Sequence, residues 1–313
     1  MSVPTKSKQG TAPTASKWTR LALWIAVIVV AMAVMVFLAK WARGMEPVQQ
    51  FLATYPGHSE LPEGAPVGLP AWLGWQHFLN AFFIVLIIRS GWQVRTTARP
   101  QAYWTRKNSG LIKTKSKPTK ISLELWFHLS LDALWMLNGL IFMALLFISG
   151  GWMRIVPTSW EIFPNALSTA LQYASLNWPT ENGWINYNAL QVLSYFAIVF
   201  IAAPLAIITG VRMSPIWPKG NAMLDKAYPM ELARKLHFPV MIFFVAFVIM
   251  HVAMVLSTGV LRNMNHMFAA RDDAGWLGFG IFALAVAVTV IIWFLAKPIF
   301  LRPIASLMGK VSK

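Results

Sequence analysis

The chain has 313 residues, of which 57% are hydrophobic and only 12% charged, with a mean hydropathy of +0.55. That composition leaves too little polar surface to cover a water-soluble fold, so an ordinary soluble enzyme is excluded and an integral membrane protein is expected. There is no cysteine, which excludes disulfides, thiolate metal sites, iron–sulfur clusters and cysteine-attached c-type haem; any metal must be held by histidine or carboxylate.

Six apolar segments reach the roughly 20 residues that a helix needs to cross the hydrocarbon. The first, 18–40, follows a polar tail bearing Lys6 and Lys8. Its apolar run is longer than the core of a signal peptide and ends in AKWARG rather than at small residues, so it is expected to remain as an anchor. The second, 72–94, opens on His77 in GWQHFLNAFFIVLIIRSG, and the basic loop RTTARPQAYWTRKNSGLIKTKSKPTK follows it. The third, 125–150, opens on His128 in ELWFHLSLDALWMLNGLIF. The connection 152–188 contains WEIFPNALSTALQYASLNW, in which Ile162, Phe163, Leu167, Leu171 and Trp178 predict a segment lying in the membrane interface with helical character. The fourth segment is 189–213, and the fifth, 233–257, carries His237 and His251 in ARKLHFPVMIFFVAFVIMHVAMVL. The sixth is 276–296. Lipid cannot satisfy open backbone groups, so the expected fold is all-α, a bundle of six antiparallel membrane helices with no soluble domain.

Charge placement sets the expected orientation. The N-terminal tail, the second and fourth connections and the C-terminal tail hold 21 of the 27 basic residues, while the alternate connections hold Lys40, Arg43, Arg154, Arg262, Arg271 and seven of the eleven acids. By the positive-inside rule both termini are cytoplasmic, in a multi-pass protein of the cell inner membrane. The formal net charge of +16 is then mostly topology and attraction to anionic lipid, and no nucleic-acid partner is needed to explain it.

Fourteen residues separate His237 from His251. At about 100° per residue both rings leave nearly the same side of one helix, about 21 Å apart along it, so each lies near one leaflet. Alternating helix directions then match the histidines by depth: His77 with His251 at the outer level, and His128 with His237 at the inner level. Two sites of two imidazoles suit two bis-histidine b-type haems stacked across the bilayer. Polar contacts between helices and, less well, a zinc site are the competing explanations. His58 and His266 lie among turn and polar neighbours and are expected to be solvated surface residues.

The segments HFLNAFFIVLIIRSG, FHLSLDALWMLNGLIFMALLFISGGW, YNALQVLSYFAIVFIAAPLAIITGVRMSP and RKLHFPVMIFFVAFVIMHVAMVL resemble the bacterial di-haem cytochrome b family, which includes membrane subunits of formate dehydrogenase, nickel–iron hydrogenase and thiosulfate reductase. The resemblance covers about 72–258; its most specific part is the fifth-segment histidine pair with single histidines on two earlier helices, and Asn80 and Asn138-Gly139 match more softly. It implies haem ligation by His77, His128, His237 and His251, and electron exchange between a quinone pool and a catalytic oxidoreductase subunit or soluble carrier. It further implies an electron-transfer subunit rather than an enzyme that converts substrate by itself. The extra first and sixth segments depart from the four-helix core, giving an expected division into 1–71 (tail, anchor and outer loop), 72–258 (di-haem core) and 259–313 (outer loop, sixth helix and tail).

Other residues invite roles around these sites. Asp132 lies one turn beyond His128 and Glu124 one turn before it. Asp132 could orient the histidine or relay a proton from a quinol, or it could be a neutral acid bonded to another helix, whereas Glu124 is expected to be solvated. Arg234 and Lys235 precede His237 and could neutralise haem propionates, although they equally serve topology. Arg89 could do the same, or snorkel to the inner interface. A stand-alone transmembrane reductase, and a haem-free transporter or structural anchor, are the alternative functions.

Overall fold

A computed structural model describes residues 16–108, 118–178, 182–218 and 220–313; Lys6, Lys8, Lys113, Lys115, Lys117 and Lys219 lie outside the described residues. Among the described residues six helices are long and apolar enough to cross a membrane: Lys17–Arg43, Ala71–Thr96, Leu123–Ile148, Ala189–Met213, Met230–Ser257 and Leu277–Leu295. They are the first to sixth spans, and "outer" denotes the side of the first, third and fifth connections. The protein is therefore an all-α, multi-pass membrane bundle.

Local chemistry explains where several spans begin. Ser16 and Ser122 accept hydrogen bonds from the backbone N–H groups of Thr19 and Leu125. Asn188 and Gln191 form a reciprocal capping box at the start of the fourth span. Each such cap is worth about 1 kcal/mol because it satisfies donors the helix leaves open. Within the fourth span, Ala197–Ala202 forms a π-helical turn just before Pro204, which has no N–H to return to the preceding turn.

The second to fifth spans form the centre. Midway along them Ile84, Ala202 and Phe244 are buried together, with Trp135 packed against the group and edge-on to Phe244 at 6.3 Å. Trp135 Nε1 donates to Asn80 Oδ1 at 2.7 Å, so the indole N–H keeps a partner on the second span. The first span stands apart. Of its residues only Ala39 is buried, and Arg43 ties its outer end to Ser175 Oγ at 3.1 Å.

On the outer side, the expected interfacial segment contains a helix over Ile162–Ala174. It exposes Phe163 and Leu167 and buries a partly polar face, in which Asn165 and Thr169 clamp the backbone of Gly57. On the inner side the structure adds an element that apolar periodicity does not reveal. Strands β1 (Tyr103–Arg106), β2 (Lys120–Ser122) and β3 (Gly309–Ser312) form an antiparallel sheet in the order β2-β1-β3, with Tyr103 opposite both Ser122 and Ser312. The helix Pro298–Met308 leads into β3, and Trp104 Nε1 donates to Ala305 O at 2.9 Å, packing this cap against Leu123, Trp126 and Phe127. Arg89 bonds Ala296 O at 2.9 Å and lies over the Trp293 ring, so it fastens the sixth span to the second rather than reaching for the interface.

Candidate functional site

The bundle brings His77 and His251 together, with ring centres 6.2 Å apart and planes inclined by 51°. Two imidazoles bonded to opposite sides of one metal at about 2 Å place their ring centres roughly 6.3 Å apart. His77 Nδ1 is buried with no hydrogen-bond partner among the described residues, so one nitrogen of this ring is left for a group the chain does not itself supply. Both rings line a cavity of about 1290 Å³, along with Gln76, Asn138, Gly139, Tyr195 and Phe247. A drug-sized ligand needs roughly 300–1,000 Å³, and a Cβ at Gly139 would meet nothing within 4 Å. The space, the ring separation and the donor type fit a porphyrin with two axial histidines.

His128 on the third span and His237 on the fifth stand at the inner level. Each is held by a hydroxyl: Ser90 Oγ and His128 Nδ1 share a bond of 2.9 Å, and Thr209 Oγ1 and His237 Nδ1 one of 2.8 Å. Ser90 and Thr209 are fully buried. The residue after each is glycine, and a Cβ would come within 3.1 Å of His128 Cε1 at Gly91 and 3.6 Å of His237 Cε1 at Gly210. Holding one ring nitrogen fixes the tautomer and turns the other outward, as metal-ligating histidines require. Asp132 Oδ2 lies 3.6 Å from His128 Nε2, the nitrogen that Ser90 does not take. Orientation of the ring therefore falls to Ser90, and Asp132 faces the free side.

A single interval unites the two levels. Fourteen residues separate His77 from Gly91, Tyr195 from Thr209 and His237 from His251. Tyr195 packs edge-on to His251 at 6.2 Å, so three spans each present one contact to both histidine levels. Ser90, Thr209, Gly91, Gly210 and Tyr195 escape a search for ligands because none is a ligand. Small polar residues followed by glycine, thirteen residues beyond His77 and fourteen beyond Tyr195, are the signal that finds the inner-level four.

Arg234 and Lys235 are exposed at the inner end of the fifth span. His58 is exposed as well. His266 corrects the solvated expectation, since it is only 5% exposed. The chain after the fifth span turns back through a π-helical turn, Asn265–Ala269, which Gly278 admits by close backbone approach; a Cβ there would meet Met264 O. His266 Nε2 and Asp272 Oδ1 then lie 2.7 Å apart, and the ring packs on Trp184. The same turn sets Phe268 edge-on to His77 at 5.6 Å, closing the outer cavity. Arg262 first, and His266 second, hold the Asp272 carboxyl well below the usual carboxylate range. Burial pushes the Tyr187 phenol above its ordinary range, with the nearby Arg154 acting in the opposite sense. Glu124 also departs from expectation, because its Oε2 is buried without a hydrogen-bond partner among the described residues.

Residues 68–270 match the prokaryotic cytochrome b561 family. The chain belongs to that family. A relative from Azospira oryzae, the "Putative protein-methionine-sulfoxide reductase subunit YedZ1", is 30% identical over 200 residues, covering 59% of this chain and 88% of the relative. No solved structure matches. As a cytochrome b561 family member the protein binds b-type haem and transfers electrons in a membrane. The matched region runs from the outer loop before the second span to the turn that closes the outer cavity, so it contains all four paired histidines.

Proposed function

We propose that this cytochrome carries electrons across the bilayer through two bis-histidine haems, between a quinone pool and a catalytic oxidoreductase subunit. His77 and His251 hold the outer haem, and His128 and His237 the inner one. The observation that carries this reading is the 6.2 Å separation of the His77 and His251 rings beside a large apolar cavity. The fourteen-residue interval on three spans extends it to the second level.

When bound, each haem supplies reversible one-electron carriage. The chain's own residues supply the rest. Ser90 and Thr209 fix the inner rings, and the layer of Ile84, Ala202, Phe244 and Trp135 keeps water out between the levels. Arg234 and Lys235 neutralise propionates at the inner surface, where their exposure leaves both cations free to reach them. Asp132, whose carboxylate lies 3.6 Å from His128 Nε2, accepts a proton from a quinol bound beside the inner haem site. Both termini face the cytoplasm across the cytoplasmic membrane, in line with the basic inner connections. The relative's name, a reductase subunit, supports a catalytic partner for this chain too.

The test is the haem-to-chain ratio of purified protein, read with its visible spectrum. Two b-type haems per chain are expected, and one or none would overturn the paired arrangement. Asp132→Asn should slow quinone-coupled haem turnover while both haems stay bound; unchanged kinetics would remove the relay.

A further inference from the structure

Arg154 is the most buried cation among the described residues. It ends the short turn Gly151–Arg154 just beyond the third span, outside the hydrocarbon-length helices, yet it is only 4% exposed. One terminal nitrogen donates to Gly68 O at 2.5 Å and the other to Gly183 O at 2.7 Å. Its Nε is buried with no hydrogen-bond partner among the described residues.

Its surroundings lead to the outer histidine pair. The guanidinium lies over the Tyr187 ring at 4.8 Å, Tyr187 packs edge-on to Tyr195 at 5.2 Å, and Tyr195 packs edge-on to His251 at 6.2 Å. Arg154, both tyrosines, His77 and His251 all line the same cavity. Among the described residues no acidic side chain lines that cavity, and no ion pair includes Arg154. A guanidinium buried against neutral carbonyls keeps a charge whose desolvation is costly unless an anion joins it. A neutral amide donor would serve to staple the two carbonyls, so the staple alone does not call for a cation. Two of the five guanidinium N–H groups are used, which leaves a fork suited to a carboxylate.

We infer that Arg154 is the carboxylate clamp of the outer haem, pairing through its unused N–H groups with a propionate and so fixing which edge of the porphyrin faces the outer surface. The inference rests on the assignment of that haem to His77 and His251. It separates the two levels by mechanism: the outer propionate meets a buried cation held rigidly by backbone, whereas the inner propionates meet cations at an exposed helix end.

The test uses the full chain with Arg154→Gln and Arg154→Lys, and potentiometric titration of each haem, the outer component being the one lost in His77→Ala. Removing a nearby cation favours the ferric state, so Arg154→Gln should shift the outer midpoint potential downward and leave the inner one in place. Arg154→Lys should restore most of the shift. Haem dimethyl ester, whose carboxylates are masked, gives a second measurement. The wild-type outer site should bind it at least about tenfold more weakly than haem, the scale of one charge-assisted pair, and Arg154→Gln should discriminate little between the two. An outer midpoint unmoved in Arg154→Gln with haem bound, or a wild-type outer site that binds ester and haem equally, would overturn the clamp. Where Arg154→Gln fails to load the outer haem, the ester comparison in the wild type decides. A wild-type chain with no outer component would overturn the haem assignment itself, and the clamp with it.

Discussion

The outer and inner histidine pairs use the same imidazole chemistry and are built in different ways. The outer rings stand at a separation that matches an intervening metal, in a roomy cavity closed by Phe268, and His77 Nδ1 has no partner among the described residues. The inner rings are each fixed by a buried hydroxyl and admitted by a glycine. At the outer level the cavity and its covering turn do the work of exclusion, so that site depends on connections between spans. At the inner level the spans themselves set ring orientation, so that site depends on single atoms along them. Paired histidine levels can therefore fail by different routes.

The largest separating effect is expected from Gly91→Leu. A Cβ at this position already comes within 3.1 Å of His128 Cε1, so a full side chain has to displace the ring. Inner haem should be lost while the outer component keeps its spectrum, and retention of both would show that the second span does not pack on His128 as described. Smaller effects should follow Ser90→Ala and Thr209→Val. Loss of a partner that orients a metal ligand weakens binding by roughly 10–100-fold, so inner haem should be lost first on dilution or competition with apo-haemoprotein. Equal weakening of the outer haem would erase the distinction between the levels.

The smallest effect concerns the closing turn. Arg262 and His266 hold Asp272 below the ordinary carboxylate range. A carboxylate with a lowered folded-state pKa contributes its full stabilisation above its unfolded value of about 3.9, and loses it only as pH falls through the folded value. The turn should therefore stay protected throughout mildly acidic pH. Asp272→Asn should raise amide exchange across 265–275 several-fold at neutral pH, with little change around the inner pair. Exchange that stays unchanged would remove the ion pair from the account of how the outer cavity is closed.

All six spans are legible in the sequence, to within a few residues at each end, because hydrocarbon thickness imposes a length and a composition on each. The meeting of His77 with His251 is also accessible, since helix rise converts sequence interval into distance. What lay hidden depends on contacts between distant parts of the chain. The sheet joins Tyr103 to Ser312, and strands of three or four residues carry too little alternation to stand out. His266 looked solvated because its neighbours are polar, yet Arg262 and Asp272 are the groups that pair around it. Arg154 read as one of a few outer cations, and only folding shows that Gly68 and Gly183 draw it inward. Glu124 has no such account: its Oε2 is buried and unpartnered among the described residues, and nothing nearby explains it.

The histidine pairing is the central claim, and redox titration of the four single variants with low-temperature spectra tests it most directly. His77→Ala and His251→Ala should perturb or remove one and the same component, while His128→Ala and His237→Ala should affect the other. Loss of a common component in His77→Ala and His237→Ala would contradict the arrangement, because those two rings belong to opposite ends of the bundle.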